Sequence, residues 1–101
     1  MVLTERIDSQ KLQSAINMLK IIAHPVRLAI VDLLTQNERM TVSEIQDALG
    51  IEQAIASQHL TVMIDKGVLL SEKVSRNKYV YLRFPKMQNI IACMENCCSE
   101  F

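Results

Sequence analysis

Gln53, Ser57, Gln58 and His59 fall together in the segment EQAIASQHLTVMIDK, and they are followed by Lys73, Arg76 and Lys78. Glutamine can pair bidentately with adenine, serine serves as donor or acceptor, and an alanine such as Ala54 can meet a thymine methyl, so the first group suits base edges in a major groove. The same short polar face, with Gln53, Ala54, Ser57, Gln58 and Thr61 outward, is also what an ordinary solvated helix shows. Lys73, Arg76 and Lys78 have the chemistry to hold phosphates beside such a groove. Between Glu52 and Arg83, Lys66, Lys73, Arg76, Lys78 and Arg83 oppose Glu52, Asp65 and Glu72, a formal +2 in a chain of net charge zero. Counterion release from so modest a patch gives weak nonspecific DNA binding, so affinity must lean on placed contacts and on dimerisation.

The thiols are the second chemical group. Cys93 and Cys97 lie four residues apart and are neighbours on one helix face, while Cys98 falls about 100° round from Cys97. Three such sulfurs can hold a thiophilic ion or metalloid such as trivalent arsenic or antimony, or act as a redox pair across a dimer. They can equally be packing, because Met87, Ile90, Ile91, Met94 and Cys98 recur at helical spacing and free cysteine behaves as a small hydrophobe. No firm metal site and no cofactor is expected. Only two histidines occur, and zinc wants four ligands; His59 sits where it can hydrogen-bond or touch DNA, and His24 precedes Pro25, which suits a capping or packed role. An enzyme is not expected. A cysteine nucleophile needs a base and an orienting group, and with only Gly50 and Gly67 there is no glycine-rich phosphate loop.

These groups need elements to position them. Thr41 with Glu44 three residues on forms a capping-box signal, and Val42, Ile45, Ala48 and Leu49 make one apolar stripe. Gly50 supplies the turn and Ile51 can plug the angle between two helices. The second helix, Glu52 to Lys66, buries Ile55, Ala56, Leu60, Met63 and Ile64, and Gly67 closes it. Val68 to Val74 and Lys78 to Phe84 then read as a β-hairpin with Ser75-Arg76-Asn77 as the turn. Residues 25–36 are core through Val26, Ala29, Ile30, Leu33 and Leu34. Residues 9–23 carry Leu12, Ala15, Ile16, Leu19, Ile22 and Ala23 on one broad apolar side, and 85–99 carry the Met/Ile stripe.

The expected fold is mainly α with a small β-hairpin wing, a winged helix-turn-helix in the order α-α-α-α-β-β-α. Residues 1–101 form a single domain, and a domain this small cannot easily hide both terminal stripes on itself. At least one of the two terminal helices is therefore expected to pack against a second copy of the chain. The polar start MVLTERIDSQ and the lack of an apolar run near the ~18 residues of a span argue against a leader or membrane segment. An odd, clustered cysteine count fits a reducing cytoplasm.

The stretch LKIIAHPVRLAIVDLL, the segment SEIQDALGIEQAIASQHLTVMIDKGVL and the wing ending KYVYLRF resemble the ArsR/SmtB family of bacterial transcriptional repressors. The resemblance covers nearly the whole chain, and its most specific pieces are His24-Pro25 with Arg27, Ser57-Gln58-His59-Leu60, and the Gly67 break before an aromatic, basic wing. It implies a homodimer, with the terminal helices 9–23 and 85–99 forming the interface, that sits on double-stranded operator DNA, blocks transcription and is released by a metal ion or another inducer. Two recognition helices on a two-fold axis read an inverted repeat with half-sites ~10 bp apart. The family's familiar metal sites use cysteines in the first helix of the motif, or Asp and His on the last helix; SEIQDALG has no Cys and MQNIIACMENCCSEF no His. Glu52 stands where Ser or Asp commonly opens the recognition helix, putting a carboxylate near phosphates. At the wing turn Ser75-Arg76-Asn77 replaces the frequent Glu-Gly-Arg, with Asn77 expected to take the positive φ. A thiol-gated sensor of arsenite, antimonite or redox state, and a protein-interaction module on the same fold, are the competing readings.

Overall fold

The computed structural model describes all 101 residues. After a single helical turn, α1 (Leu3–Arg6), α2 (Ser9–Ile22) begins where Asp8 accepts the backbone N–H of Gln10 at 3.1 Å and of Lys11 at 3.3 Å. α3 (Pro25–Gln36) starts at His24, whose Nδ1 accepts the Val26 N–H at 3.1 Å, with Pro25 in the first turn where a missing donor costs nothing. A two-residue strand β1 (Met40–Thr41) leads directly into α4 (Val42–Leu49), then come α5 (Gln53–Asp65) and the hairpin β2 (Leu69–Val74) and β3 (Asn77–Leu82). A 3₁₀ turn, Pro85–Met87, opens α6 (Gln88–Cys98). No helix is long and apolar enough to cross a membrane.

α3 runs through the middle, packed against α2, α4, α5, α6 and β3. Its Ile30, Val31 and Leu34 join Ile45, Leu60, Met63, Val68, Leu69, Val80, Leu82 and Met87 in one cluster. That cluster fixes α5 against α3 and α4 on one side, and the root of the hairpin on the other. The sheet is antiparallel in the order β1-β3-β2, with Met40 opposite Val80 and Leu69 opposite Leu82.

Four expectations change. β1 and α1 are additional elements, too short for any periodic signal. Asn77 lies in β3, and the positive φ, 59°, belongs to Ser75, because the connection is only Ser75-Arg76. A two-residue hairpin needs φ > 0 at its first central position, and the Val74–Asn77 pairing leaves that position to serine. Ile55 and Ala48 are exposed rather than buried; Ile55 stands 100° round from Ala56, off the face that Leu60 and Met63 turn inward. On α2 the core side is Met18, Ile21 and Ile22, whereas Ala15, Ile16 and Leu19, and Ala23 just past the helix end, are exposed.

Candidate nucleic-acid interface

Local chemistry sets the angle between α4 and α5. Thr41 Oγ1 accepts the Glu44 N–H at 3.1 Å while Glu44 Oε1 accepts the Thr41 N–H at 3.0 Å, so two free donors at the start of α4 are satisfied. Gly50 ends α4 at φ 63°, ψ 36°, a left-handed conformation in which its N–H and that of Ile51 both return to the Gln46 carbonyl. Ile51 is half-buried in the angle. α5 then buries Ala56, Leu60 and Met63 and turns Gln53, Ala54, Gln58 and Thr61 to solvent. Ser57 and His59 sit half-buried on its two flanks. Glu52 occupies the N-cap position without making a side-chain cap bond, so its carboxylate is free at the mouth of the helix.

His59 is not a free-standing reader. Its Nδ1 accepts the Nε–H of Arg27 at 3.2 Å, from α3, and its ring lies 4.6 Å, centroid to centroid, from that of His24. Burial, reinforced by the charges of His24 and Arg27, holds the His59 imidazole below its ordinary pKa. Arg27 is the residue that sequence reasoning left without a role at this site. With Ser57, Gln58, His59, Thr61 and Val62 it lines a shallow depression on the recognition helix. Its placement beside the His24-Pro25 start of α3 was the available signal.

The hairpin follows α5 and its first strand packs against that helix. Arg39 forms an ion pair with Glu72 and lies over the Tyr79 ring, 4.3 Å from its centroid, bracing β3 from the loop before β1. Both partners are exposed, so the pair adds at most about 1 kcal/mol. Its larger effect is on charge: it cancels the acidic residue of β2 and leaves Lys73, Arg76 and Lys78 exposed at the tip with no ion-pair partner. Lys73 and Lys78 stand directly opposite each other in the register. Like charges facing across a strand pair repel, and an anion between them relieves the repulsion. The hairpin root is equally constrained. Gly67 has φ 77°, a left-handed conformation that L side chains rarely adopt.

All three cysteines are exposed on α6. Cys93 and Cys97 meet, with sulfurs 3.9 Å apart, and the hydrogen bond to Cys93, with the charge Cys93 can carry, pushes the Cys97 thiol above its ordinary pKa. A thiol held protonated is a weaker nucleophile and metal ligand than a thiolate. Cys98 does not join the pair, and nowhere in the chain are three His, Cys, Asp or Glu side chains grouped to hold a metal ion. The face these sulfurs share with the exposed Met94 lies outside the core cluster.

Comparison with known proteins agrees with this geometry. A helix-turn-helix domain family matches residues 22–72, from the end of α2 into β2. The chain is 34% identical over 86 residues to the transcriptional repressor PagR of Bacillus anthracis, spanning 85% of this chain and 86% of PagR. It is 40% identical over 65 residues to the HTH-type transcriptional repressor SmtB of Mycobacterium tuberculosis, a match covering 64% of this chain and about half, 47%, of SmtB. The crystal structure of PagR superposes with a TM-score of 0.79 at 32% identity, covering 86% of this chain and 99% of that one.

Proposed function

Because the chain belongs to the ArsR/SmtB family of winged helix-turn-helix regulators, we propose that it is a sequence-specific, DNA-binding transcriptional repressor acting as a homodimer on an inverted-repeat operator. Its role is regulatory rather than catalytic. What carries this reading is the pairing of two surfaces: the uncharged, hydrogen-bonding outward face of α5, and a wing tip whose cations have no partner within the chain. Gln53, Ser57, Gln58 and His59 read bases or seat the helix on the backbone, and Lys73, Arg76 and Lys78 hold phosphates.

The dimer reading has its own support. Ile16 and Leu19 on α2 are 36% and 47% exposed, and Met94 on α6 is 38% exposed. The radius of gyration is 14.8 Å, against about 13 Å for a compact chain of 100 residues. A partner packed on α2 and α6 covers those side chains and doubles the contacts of a weakly charged monomer.

Fluorescence anisotropy on labelled DNA from the gene's own upstream region, with excess nonspecific competitor, tests the proposal. Saturable binding at two chains per site is expected. Lack of any DNA affinity at low salt would favour a protein-interaction module on the same fold.

A further inference from the structure

We propose that Arg27 fixes the tautomer of His59, so that the recognition helix offers DNA a neutral Nε2–H donor, with Arg27 the positioning residue that maintains it. This rests on the DNA-binding reading above and adds to it how one side chain is prepared for an acceptor.

An arginine side chain has donors only. The bond from Arg27 Nε to His59 Nδ1, 3.2 Å, therefore requires a lone pair on Nδ1, and a neutral ring then carries its hydrogen on Nε2. Arg27 is itself held, because its Nη1 donates to the Ile21 carbonyl at 3.2 Å in the last turn of α2. One planar guanidinium on α3 thus ties α2 to α5. The groups facing His59 are Arg27 and His24, and no carboxylate lies within ion-pairing distance of either imidazole. A second proton on His59 would break the Arg27 bond and meet a cation with nothing to offset it, which accords with the lowered pKa.

The other nitrogen is available. No buried side-chain nitrogen or oxygen lacks a hydrogen-bond partner, and Nε2 has no partner, so on this half-buried residue it reaches solvent. His59 lines the same depression as Ser57, Gln58 and Thr61, on the face assigned to DNA. A neutral N–H donor there fits an acceptor: N7 or O6 of guanine, N7 of adenine, O4 of thymine, or a phosphate oxygen.

Long-range proton–nitrogen correlation spectra of the free, full-length protein at pH 7.5 read the tautomer directly. A single Nε2–H form of His59 is expected in the wild type, and a mixture in Arg27→Met with its amide pattern otherwise intact. If Arg27→Met does not fold, a scalar coupling between Arg27 Nε and His59 Nδ1 across their hydrogen bond, sought in the wild type, serves instead, and its absence overturns the role of Arg27. An Nδ1–H ring in the wild type, or an unchanged ring in the variant, overturns the proposal. The second arm is anisotropy on operator DNA, where the variant should bind about tenfold more weakly, the effect of one well-placed hydrogen bond. A loss confined to one base pair identifies a base edge as the acceptor, and an equal loss on every sequence a phosphate. An altered tautomer with unaltered DNA affinity overturns the DNA half. If the wild type binds no DNA, the functional reading fails with that half, while the spectrum still decides the tautomer.

Discussion

Lys73 and Lys78, face to face at the end of the hairpin, repel each other in the free protein and separate the wing's contribution from that of the recognition helix. Phosphate contacts release counterions and carry no sequence information, whereas base contacts do the reverse. Arg76→Ala should therefore weaken all sequences alike and reduce the slope of log affinity against log salt by about 1. Gln58→Ala should leave that slope in place and cost about 1–3 kcal/mol of discrimination at a single base pair. Salt titrations of both variants on operator and scrambled DNA check the pair, and an unchanged slope for Arg76→Ala would remove it from the contacts. His59 supplies a pH test. Burial, then His24 and Arg27, depress its folded pKa, so between that value and about 6.5 the unfolded chain binds more protons than the folded one. This group costs no stability above about 6.5; stability falls as pH drops below it and levels off beneath the folded pKa. Urea midpoints from pH 7.5 to 5 should fall further for the wild type than for His59→Gln. At this scale the legible features were local ones. The capping pair Thr41 and Glu44 and the Gly50 turn lie within a few residues of their partners. The Arg27–His59 bond joins residues 32 apart, and only the crossing of α3 over α5 brings them together.

Elements long enough to show a period were readable, and those set by their neighbours were not. α3 and α5 follow their apolar spacing, apart from Ile55, and the hairpin follows its run of Val, Leu, Tyr and Phe. β1 is two residues long and exists because β3 offers a free edge to Met40 and Thr41. The exposed positive φ at Ser75 likewise follows from strand register rather than from residue preference. β1 and α4 are joined at Thr41, which is both a strand residue and the helix cap. Thr41→Ala should thus lower stability by about 1 kcal/mol through loss of the cap. Thermal melts should register it as a drop of several degrees. A melting point within a degree of wild type would show that the capping box is dispensable here.

At the scale of the whole molecule, 14 of 101 residues are buried, leaving a small core beneath two terminal helices with apolar outer faces. That two such faces exist was legible from the spacing of their Leu, Ile and Met residues. Which side of α2 meets the core was not, since Ile22 and Leu19 lie on neighbouring rows, and only the docking onto α3 selects Met18, Ile21 and Ile22. Leu19→Glu should convert a species of twice the 11.5 kDa chain mass into a monomer in light scattering, and weaken operator binding by at least tenfold through the lost second half-site. A dimer that survives this substitution would move the interface away from α2. On the proposed interface, covering the outward stripe of Ile16 and Leu19 with a second copy would also make the protein's thermal resistance a function of its own abundance. A fold that finishes its burial on a second copy gains stability by mass action, so its melting temperature climbs with concentration. On dilution, unfolding and release from the operator become two outcomes of one dissociation.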